Sequence, residues 1–381
     1  MVEWKKLGEI CDIKGRIGFR GYTREDQVEK GQGAISLSPG NITDDTLVYD
    51  SCTYITWEKY NESPEIMVNE GDIILCKTAS VGKVARIKKL PEKATINPQL
   101  VVLKHFSINP QYIFYVLTDY PFQYRIKGLA GVGSVPNVSQ AKLSQILIPI
   151  PSLSEQVRIV GILDTFTASI DNMKGQIAQR RKQFEFYRDQ LLDLEGKQGV
   201  EMKRLGDIGE ICMCKRIMKN QTSENGEIPF FKIGTFGGKA DAYISRKLFE
   251  EYRIKYSYPQ KGDILISAAG TIGRSITFDG KDAYFQDSNI VWISNNEEIV
   301  SNRYLYYFYQ IAEWKTDGGT IKRLYNYNLK NTSLPVPSHS RQERIVSILD
   351  TFTESIKNLE AQLEQRQKQY EYYRNQLLTF A

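Results

Sequence analysis

Histidine is nearly absent from this chain: there are two in 381 residues, His105 and His339. So small a supply leaves little for acid–base catalysis, which draws on imidazole most often. Cysteine is sparse as well. Cys11, Cys52, Cys76, Cys212 and Cys214 form an odd, scattered set with one Cys-x-Cys pair. No disulfide framework is indicated, and neither histidine lies near the pair to complete a tetrahedral zinc site. Reduced structural thiols in the cytoplasm are the expectation. Long apolar runs are missing too. None approaches the roughly 18 residues that a spanning helix needs, and Met1-Val2-Glu3-Trp4-Lys5-Lys6 has no apolar core behind its charges. No membrane partner is expected.

Catalytic motifs are equally scarce. There is no Asp-Pro-Pro-Tyr or Asn-Pro-Pro-Tyr, and Asn97-Pro98-Gln99 and Asn109-Pro110-Gln111 do not supply one. Gly128-Leu129-Ala130-Gly131-Val132-Gly133 has the wrong glycine spacing for a dinucleotide loop, and Pro136 prevents the helix that should follow. Gly237-Gly238-Lys239 lacks the Ser or Thr of a P-loop, and a lone Glu313-Trp314-Lys315 does not signal a nuclease. Nor does charge of one sign dominate. Lys and Arg number 50 against 45 Asp and Glu, a net +5, so an anionic partner must meet a local patch.

Present instead is repetition, which fixes architecture before any local motif does. Lys5-Lys6-Leu7-Gly8-Glu9-Ile10 returns as Lys203-Arg204-Leu205-Gly206-Asp207-Ile208. Gly71-Asp72-Ile73-Ile74-Leu75 returns as Gly262-Asp263-Ile264-Leu265-Ile266, each followed by a small-residue loop ending in Gly82-Lys83 or Gly273-Arg274. Gln156 to Leu192 aligns without gaps on Gln342 to Leu378, with roughly two-thirds of the positions identical. The front portions keep only a skeleton of apolar and glycine positions. One fold carrying two surfaces suggests two ligands.

Between Ile35 and Leu103, short Ile, Val and Tyr-rich runs alternate with Gly, Pro, Asn and Asp clusters, which predicts strands and turns; the second half repeats the texture. Helices are predicted at Tyr112 to Tyr120 and Tyr304 to Ala312, then Pro-flanked strands at Ile146 to Pro151 and Thr332 to Pro337. In the closing segments apolar residues step by fours and threes: Ile159, Leu163, Phe166, Ile170, Met173, Ile177, Phe184, Tyr187, Leu191, and again Ile345, Leu349, Phe352, Ile356, Leu359, Leu363, Tyr370, Tyr373, Leu377. That is a coiled-coil seam, broken at the same step by Arg180 and Arg366. Equal breaks argue for pairing between the copies. A helix from about Ser152 to Asp193 runs roughly 60 Å, too long for one small domain to cover. The expected fold is α+β: two similar mixed α/β domains, separated by a long antiparallel two-helix coiled coil, in a pseudo-two-fold internal repeat. The outer helix faces, with Gln176, Gln179, Gln183, Glu185 and Arg188, are either solvated or docking surfaces.

Variable domain, repeated helix, variable domain, repeated helix: this order resembles the specificity subunits of Type I restriction-modification enzymes over essentially the whole chain. The resemblance rests on the opening Leu-Gly-Glu/Asp-Ile and on the Gly-Asp-Ile strand with its Gly-Lys/Arg loop. It rests also on the junctions Pro149-Ile150-Pro151 and Pro335-Val336-Pro337, and on the Gln-x-Arg-Ile-Val helix start with Leu-Asp-Thr-Phe beyond it. It implies a target recognition domain at 1–151, a spacer helix at 152–195, a second recognition domain at 196–337 and a second spacer helix at 338–381. Each domain would read one half of a bipartite double-stranded DNA target. The helices would set the spacing and bind two methyltransferase (modification) subunits. The chain itself would be non-catalytic and cytoplasmic and hold no cofactor. S-adenosylmethionine, ATP and Mg would sit on partners, which methylate adenine or, as restriction (motor-nuclease) subunits, cleave. Domains about one helical turn apart, roughly 34 Å or a multiple, fit one face of B-DNA. Two alternatives stay open: the specificity component of another multisubunit restriction system, and a coiled-coil scaffold whose globular ends bind proteins.

Contact residues follow from chemistry. Small-residue loops after a strand let backbone N–H groups approach phosphate, and an adjacent cation adds charge. Lys77, Thr78, Ser80 and Lys83 in the first half and Thr271 and Arg274 in the second are such candidates. A second pair of loops offers Ser134 and Asn137, and Thr320, Lys322 and Arg323. Arg16, Arg20, Lys232 and Lys239 could add phosphate or base-edge contacts, Arg suiting guanine and Asn or Gln adenine.

Overall fold

A computed structural model describes residues 2–16, 21–131, 135–317 and 322–380. The chain forms two compact units, Met1–Lys174 with Gln362–Ala381, and Gly175–Ala361. Each opens alike. Strand Glu3–Lys6 pairs antiparallel with Leu147–Ile150 in the first, and Val200–Arg204 with Ser333–Pro337 in the second. A one-turn helix follows, Leu7–Ile10 or Leu205–Ile208. The repeated Leu-Gly-acid-Ile motif has three jobs here. Its Leu and Ile are buried. Its acid caps the turn: the Lys6 N–H donates to Glu9 Oε2 at 3.0 Å, and that of Arg204 to Asp207 Oδ2 at 3.1 Å. Its glycine permits close approach, since a Cβ on Gly8 would stand 2.8 Å from Ser144 Cβ.

In the first unit a four-stranded antiparallel sheet runs in the order Val84–Arg86, Ile73–Cys76, Leu100–Lys104, Asp12–Lys14. Strand alternation sends its residues to two different cores. Ile73, Leu75, Val101 and Leu103 face a core shared with helix Pro110–Thr118, while Ile74, Cys76, Leu100 and Val102 face a five-stranded sheet. The second unit repeats the plan. Its sheet runs Gly209–Cys212, Ile290–Asn295, Ile264–Ser267, Ser275–Thr277; Ile264, Ile266, Val291 and Ile293 face one core, and Leu265, Ile290 and Trp292 the other, beneath a three-stranded sheet. Burial on both faces is why these runs are continuously apolar.

The long helices are Leu153–Leu192 and His339–Leu378, 40 residues each. In the second unit Tyr187 stacks on Phe352 at 5.4 Å and Arg181 pairs with Glu360 at 2.6 Å. Stepping back along one segment steps forward along the other, so the two run antiparallel. The first unit makes the matching contact, Phe166 stacked on Tyr373 at 5.3 Å. The seam's breaks turn out to be filled. The Arg180 guanidinium lies 5.8 Å from the Phe352 ring and that of Arg366 5.7 Å from the Phe166 ring, so each arginine covers an aromatic face. Ile159, Leu163, Ile170, Ile177, Ile345 and Leu349 are buried; Met173, Phe184, Leu191, Ile356, Leu359, Leu363, Tyr370 and Leu377 are half-buried.

The most repeated residues also seat each domain on its helix. The Gln156 side chain accepts from the Asn109 N–H at 3.1 Å and donates to Pro151 O at 2.9 Å. Gln342 does the same with Ser301 N–H and Pro337 O, each at 2.9 Å. The buried Tyr115 hydroxyl donates to Asp164 at 2.6 Å, and Tyr307 donates to Asp350. Two features differ from expectation. The helix expected to reach Ala312 ends earlier, spanning Asn302–Phe308, and helices Tyr120–Leu129 and Arg246–Lys255 were not foreseen.

Candidate nucleic-acid interface

Both small-residue loops have one backbone design. In the first unit the Cys76 N–H donates to Lys83 O at 2.8 Å and the Gly82 N–H to Cys76 O at 3.0 Å; in the second, Ser267 bonds Arg274 O at 2.8 Å and Gly273 bonds Ser267 O at 3.0 Å. Ala79 and Gly270 occupy the same left-handed position, φ 63° and 66°, and so do Gly82 and Gly273, φ 97° and 83°. The second of these positions admits glycine alone, being left-handed and also roofed. A Cβ on Gly82 would meet Gln123 Oε1 at 2.5 Å, and one on Gly273 the Trp314 ring at 2.2 Å. Gln123 Nε2 also donates to Gly82 O at 2.8 Å.

The two candidate loops of each half, far apart in sequence, lie side by side. The Val138 N–H donates to Lys77 O and that of Ala79 to Pro136 O, both at 2.9 Å, and Thr78 Oγ1 meets Asn137 Oδ1 at 2.8 Å. In the second unit the Leu324 N–H donates to Ala268 O at 2.8 Å, and Ala269 bridges to Arg323. A third segment borders each face, and the sequence did not point to it. The Lys77 N–H donates to Gln99 O at 2.9 Å and the Ala268 N–H to Asn289 O at 2.7 Å. Asn97-Pro98-Gln99 had been legible only as a motif that failed.

The remaining candidates divide. Ser80, Lys239, Thr271, Arg274 and Lys322 are exposed, and Lys77 is half-buried. The side chains of Lys77, Lys239, Arg274 and Lys322 have no ion-pair or hydrogen-bond partner among the described residues. Lys83 is exposed, but its ammonium donates to Ile42 O at 3.2 Å and Pro39 O at 3.4 Å. Lys232 is held by Asp241 at 2.8 Å. Arg323 NH2 donates to Asn289 Oδ1 at 2.8 Å and Ser288 Oγ at 3.0 Å, which makes it a clamp across the face. Arg16 is a correction: it is 5% exposed, its guanidinium lies 5.4 Å from the Tyr22 ring, and its Nε donates to Ile96 O at 3.4 Å. Packing claims this cation for the interior. Arg20, Ser134 and Thr320 lie outside the described residues.

Burial raises the pKa of the Cys76 thiol, which donates to Thr78 O at 3.1 Å, and burial pushes Cys214 up to about 12. All five cysteines are free. Among the described residues no helix is long and apolar enough to cross a membrane.

A family model described as the type I restriction modification DNA specificity domain matches twice, over residues 1–180 and 197–366. A Haemophilus influenzae protein named as a type I restriction enzyme specificity subunit is 52% identical over 288 residues, 72% of this chain and 73% of its own length. The Escherichia coli EcoR124I/EcoR124II specificity subunit is 31% identical over 295 residues, 71% of this chain and 70% of its own. Among solved structures, the type I S subunit from M. genitalium matches with a TM-score of 0.59 at 15% identity, covering 100% of this chain and 97% of that one. A chain from a type I R-M system solved for its complex assembly and conformational transition matches with a TM-score of 0.60 at 18% identity, covering 99% and 97%. These two likenesses are of fold.

Proposed function

This chain belongs to the type I restriction-modification DNA specificity family and is a specificity subunit, and we propose from that premise that each unit reads one half of a bipartite DNA target. One observation carries the reading. The same three-segment face is built twice on the same backbone, with Lys-Thr-Ala-Ser-Val in one loop and Ala-Ala-Gly-Thr-Ile in the other. A shared frame with unlike side chains is what two readers of unlike half-sites require. Residues 1–151 and 196–337 act as the readers, and 152–195 and 338–381 as spacers.

The chain contributes recognition and no turnover, acting in the cytoplasm. Modification subunits carrying S-adenosylmethionine methylate adenine, and restriction subunits supply ATP- and Mg-dependent cleavage. The modification subunits dock on the long helices, where Phe186 and Tyr372, at equivalent positions, are 62% and 60% exposed. Exchange of residues 1–151 for those of another family member, followed by sequencing of methylated sites in cells, should replace one half-site and keep the other. Replacement of both, or of neither, contradicts separate readers, and methyl transfer by the isolated chain contradicts the division of labour.

A further inference from the structure

The segment bordering each face ends in a carboxamide at the same structural position. Gln99 and Asn289 both lie opposite the first residue of the small-residue loop, and both are half-buried. They are unlike in sequence surroundings, yet each amide oxygen is already taken by an internal donor. Asn97 Nδ2 donates to Gln99 Oε1 at 3.1 Å, and Arg323 NH2 donates to Asn289 Oδ1 at 2.8 Å. The opposite end of each amide is left over. Neither Gln99 Nε2 nor Asn289 Nδ2 has a partner among the described residues, and neither is among the polar atoms sealed from solvent. An amide N–H2 beside a cation-bearing loop on a DNA-reading face has one chemical use, to donate.

We propose that Gln99 and Asn289 are specificity-determining residues, each presenting a carboxamide N–H to a base-edge acceptor in the half-site that its own unit reads. The proposal rests on the reading of these faces as DNA-binding. A free amide would recognise adenine with both ends, accepting from N6 and donating to N7. Here the oxygen is committed inward, so the selection is for acceptors over amino groups. Purine N7, guanine O6 and thymine O4 can accept; cytosine presents only its N4 donor in the major groove. Asn97 and Arg323 are positioning residues, acting through the amides they orient.

The experiment sequences methylated sites in cells expressing the full complex with Gln99→Glu, Gln99→Leu or Asn289→Asp. Gln99→Glu exchanges the outward donor for an acceptor of the same shape. At one position of the first reader's half-site, the preferred base should change to cytosine, with the other half-site untouched. Asn289→Asp should do the same to the other half-site alone. Gln99→Leu should relax discrimination at that position about tenfold. If Gln99→Glu prevents assembly with the modification subunits, Asn97→Ala carries the test: it frees the Gln99 oxygen, although it also removes the acceptor of the Gln99 N–H at 3.0 Å, and preference at that one position should strengthen for adenine. Unchanged base preference in the variants that assemble overturns the proposal. The DNA-reading premise is judged separately by the exchange of residues 1–151, so a failure there is distinguishable from a failure of the amide assignment.

Discussion

Removing the four uncommitted cations of the two faces should flatten the salt dependence of DNA binding by a calculable amount. The charged side chains of Lys77 in the first unit and of Lys239, Arg274 and Lys322 in the second lack partners among the described residues, whereas Lys232 is neutralised by Asp241. Each phosphate contact releases counterions worth about 0.9 in the slope of log K against log salt. Four contacts give about 3.6, so a fourfold rise in salt should weaken the wild-type complex about 150-fold more than the complex with all four changed to Gln. The assay is fluorescence anisotropy on cognate duplex with the assembled methyltransferase at several salt concentrations. Taking the difference between the two complexes cancels the cations of the partner subunits. Lys83→Gln should flatten the slope less than Lys77→Gln does, because the Lys83 ammonium is engaged by two carbonyls. A fourfold variant with the wild-type slope refutes phosphate contact at these faces.

Asp72 and Asp263, the repeated Gly-Asp-Ile acids, should respond oppositely to amide replacement. Asp72 pairs with Lys104 at 3.0 Å with the lysine side chain only 9% exposed, so Asp72→Asn should destabilise the protein by about 3 kcal/mol in chemical denaturation. Burial, with the Glu297 charge adding to it, holds the Asp263 carboxyl above its ordinary 3.8 despite the Gln260 N–H bond. A raised folded-state pKa means that stability falls as pH climbs from 3.8 through the folded value and stays reduced at neutral pH. Asp263→Asn should therefore stabilise at pH 7, and the gain should vanish on titration below the unfolded pKa. Tyr115→Phe should cost about 1.5 kcal/mol in the same assay, because the Asp164 carboxylate loses one donor but keeps Gln111 at 3.0 Å. Tyr307→Phe should cost less, since Arg303 still holds Asp350 at 2.7 Å. Gly82→Ala should cost about 1–2 kcal/mol from the left-handed backbone alone, and should degrade methylation at the first reader's half-site while sparing the second.

What was legible in the sequence was what repeats or has a period. The duplicated motifs marked the start of each unit without showing that it is a strand and a one-turn helix, and the four-three spacing located both long helices. The arginine breaks in the seam read as interruptions because heptad logic counts apolar residues, and a guanidinium over a phenyl ring is invisible to it. Helix Tyr120–Leu129 was hidden for a related reason. Pro121 reads as a breaker, yet at the first turn proline is tolerated. Helix Arg246–Lys255 is short, and its stripe is confined to Leu248, Phe249 and Tyr252 on the second core, although Ser245 caps it through the Leu248 N–H. Arg16 and Gln99 were misjudged or missed because their roles depend on partners far away in the chain: Ile96 O for one and the Lys77 N–H for the other.

The unequal divergence of the two parts follows from where each stores its stability. The small-residue loops are closed by backbone bonds, Cys76 to Lys83 and Ser267 to Arg274, which no side chain between them supplies. Residues 77–81 and 268–272 can therefore be rewritten without unfolding the hairpin, provided that glycine stays at 82 and 273 and that 79 and 270 tolerate their left-handed backbone. The helical segments have no such freedom. Their pairing is made by side chains, Phe166 with Tyr373 and Tyr187 with Phe352, and their seating by Gln156, Asp164, Gln342 and Asp350. A residue in one helical copy must satisfy both its own domain and a segment of the other copy, so a change in either copy disturbs contacts in two places. Sequence can drift where the backbone holds the shape, and cannot where side chains hold it.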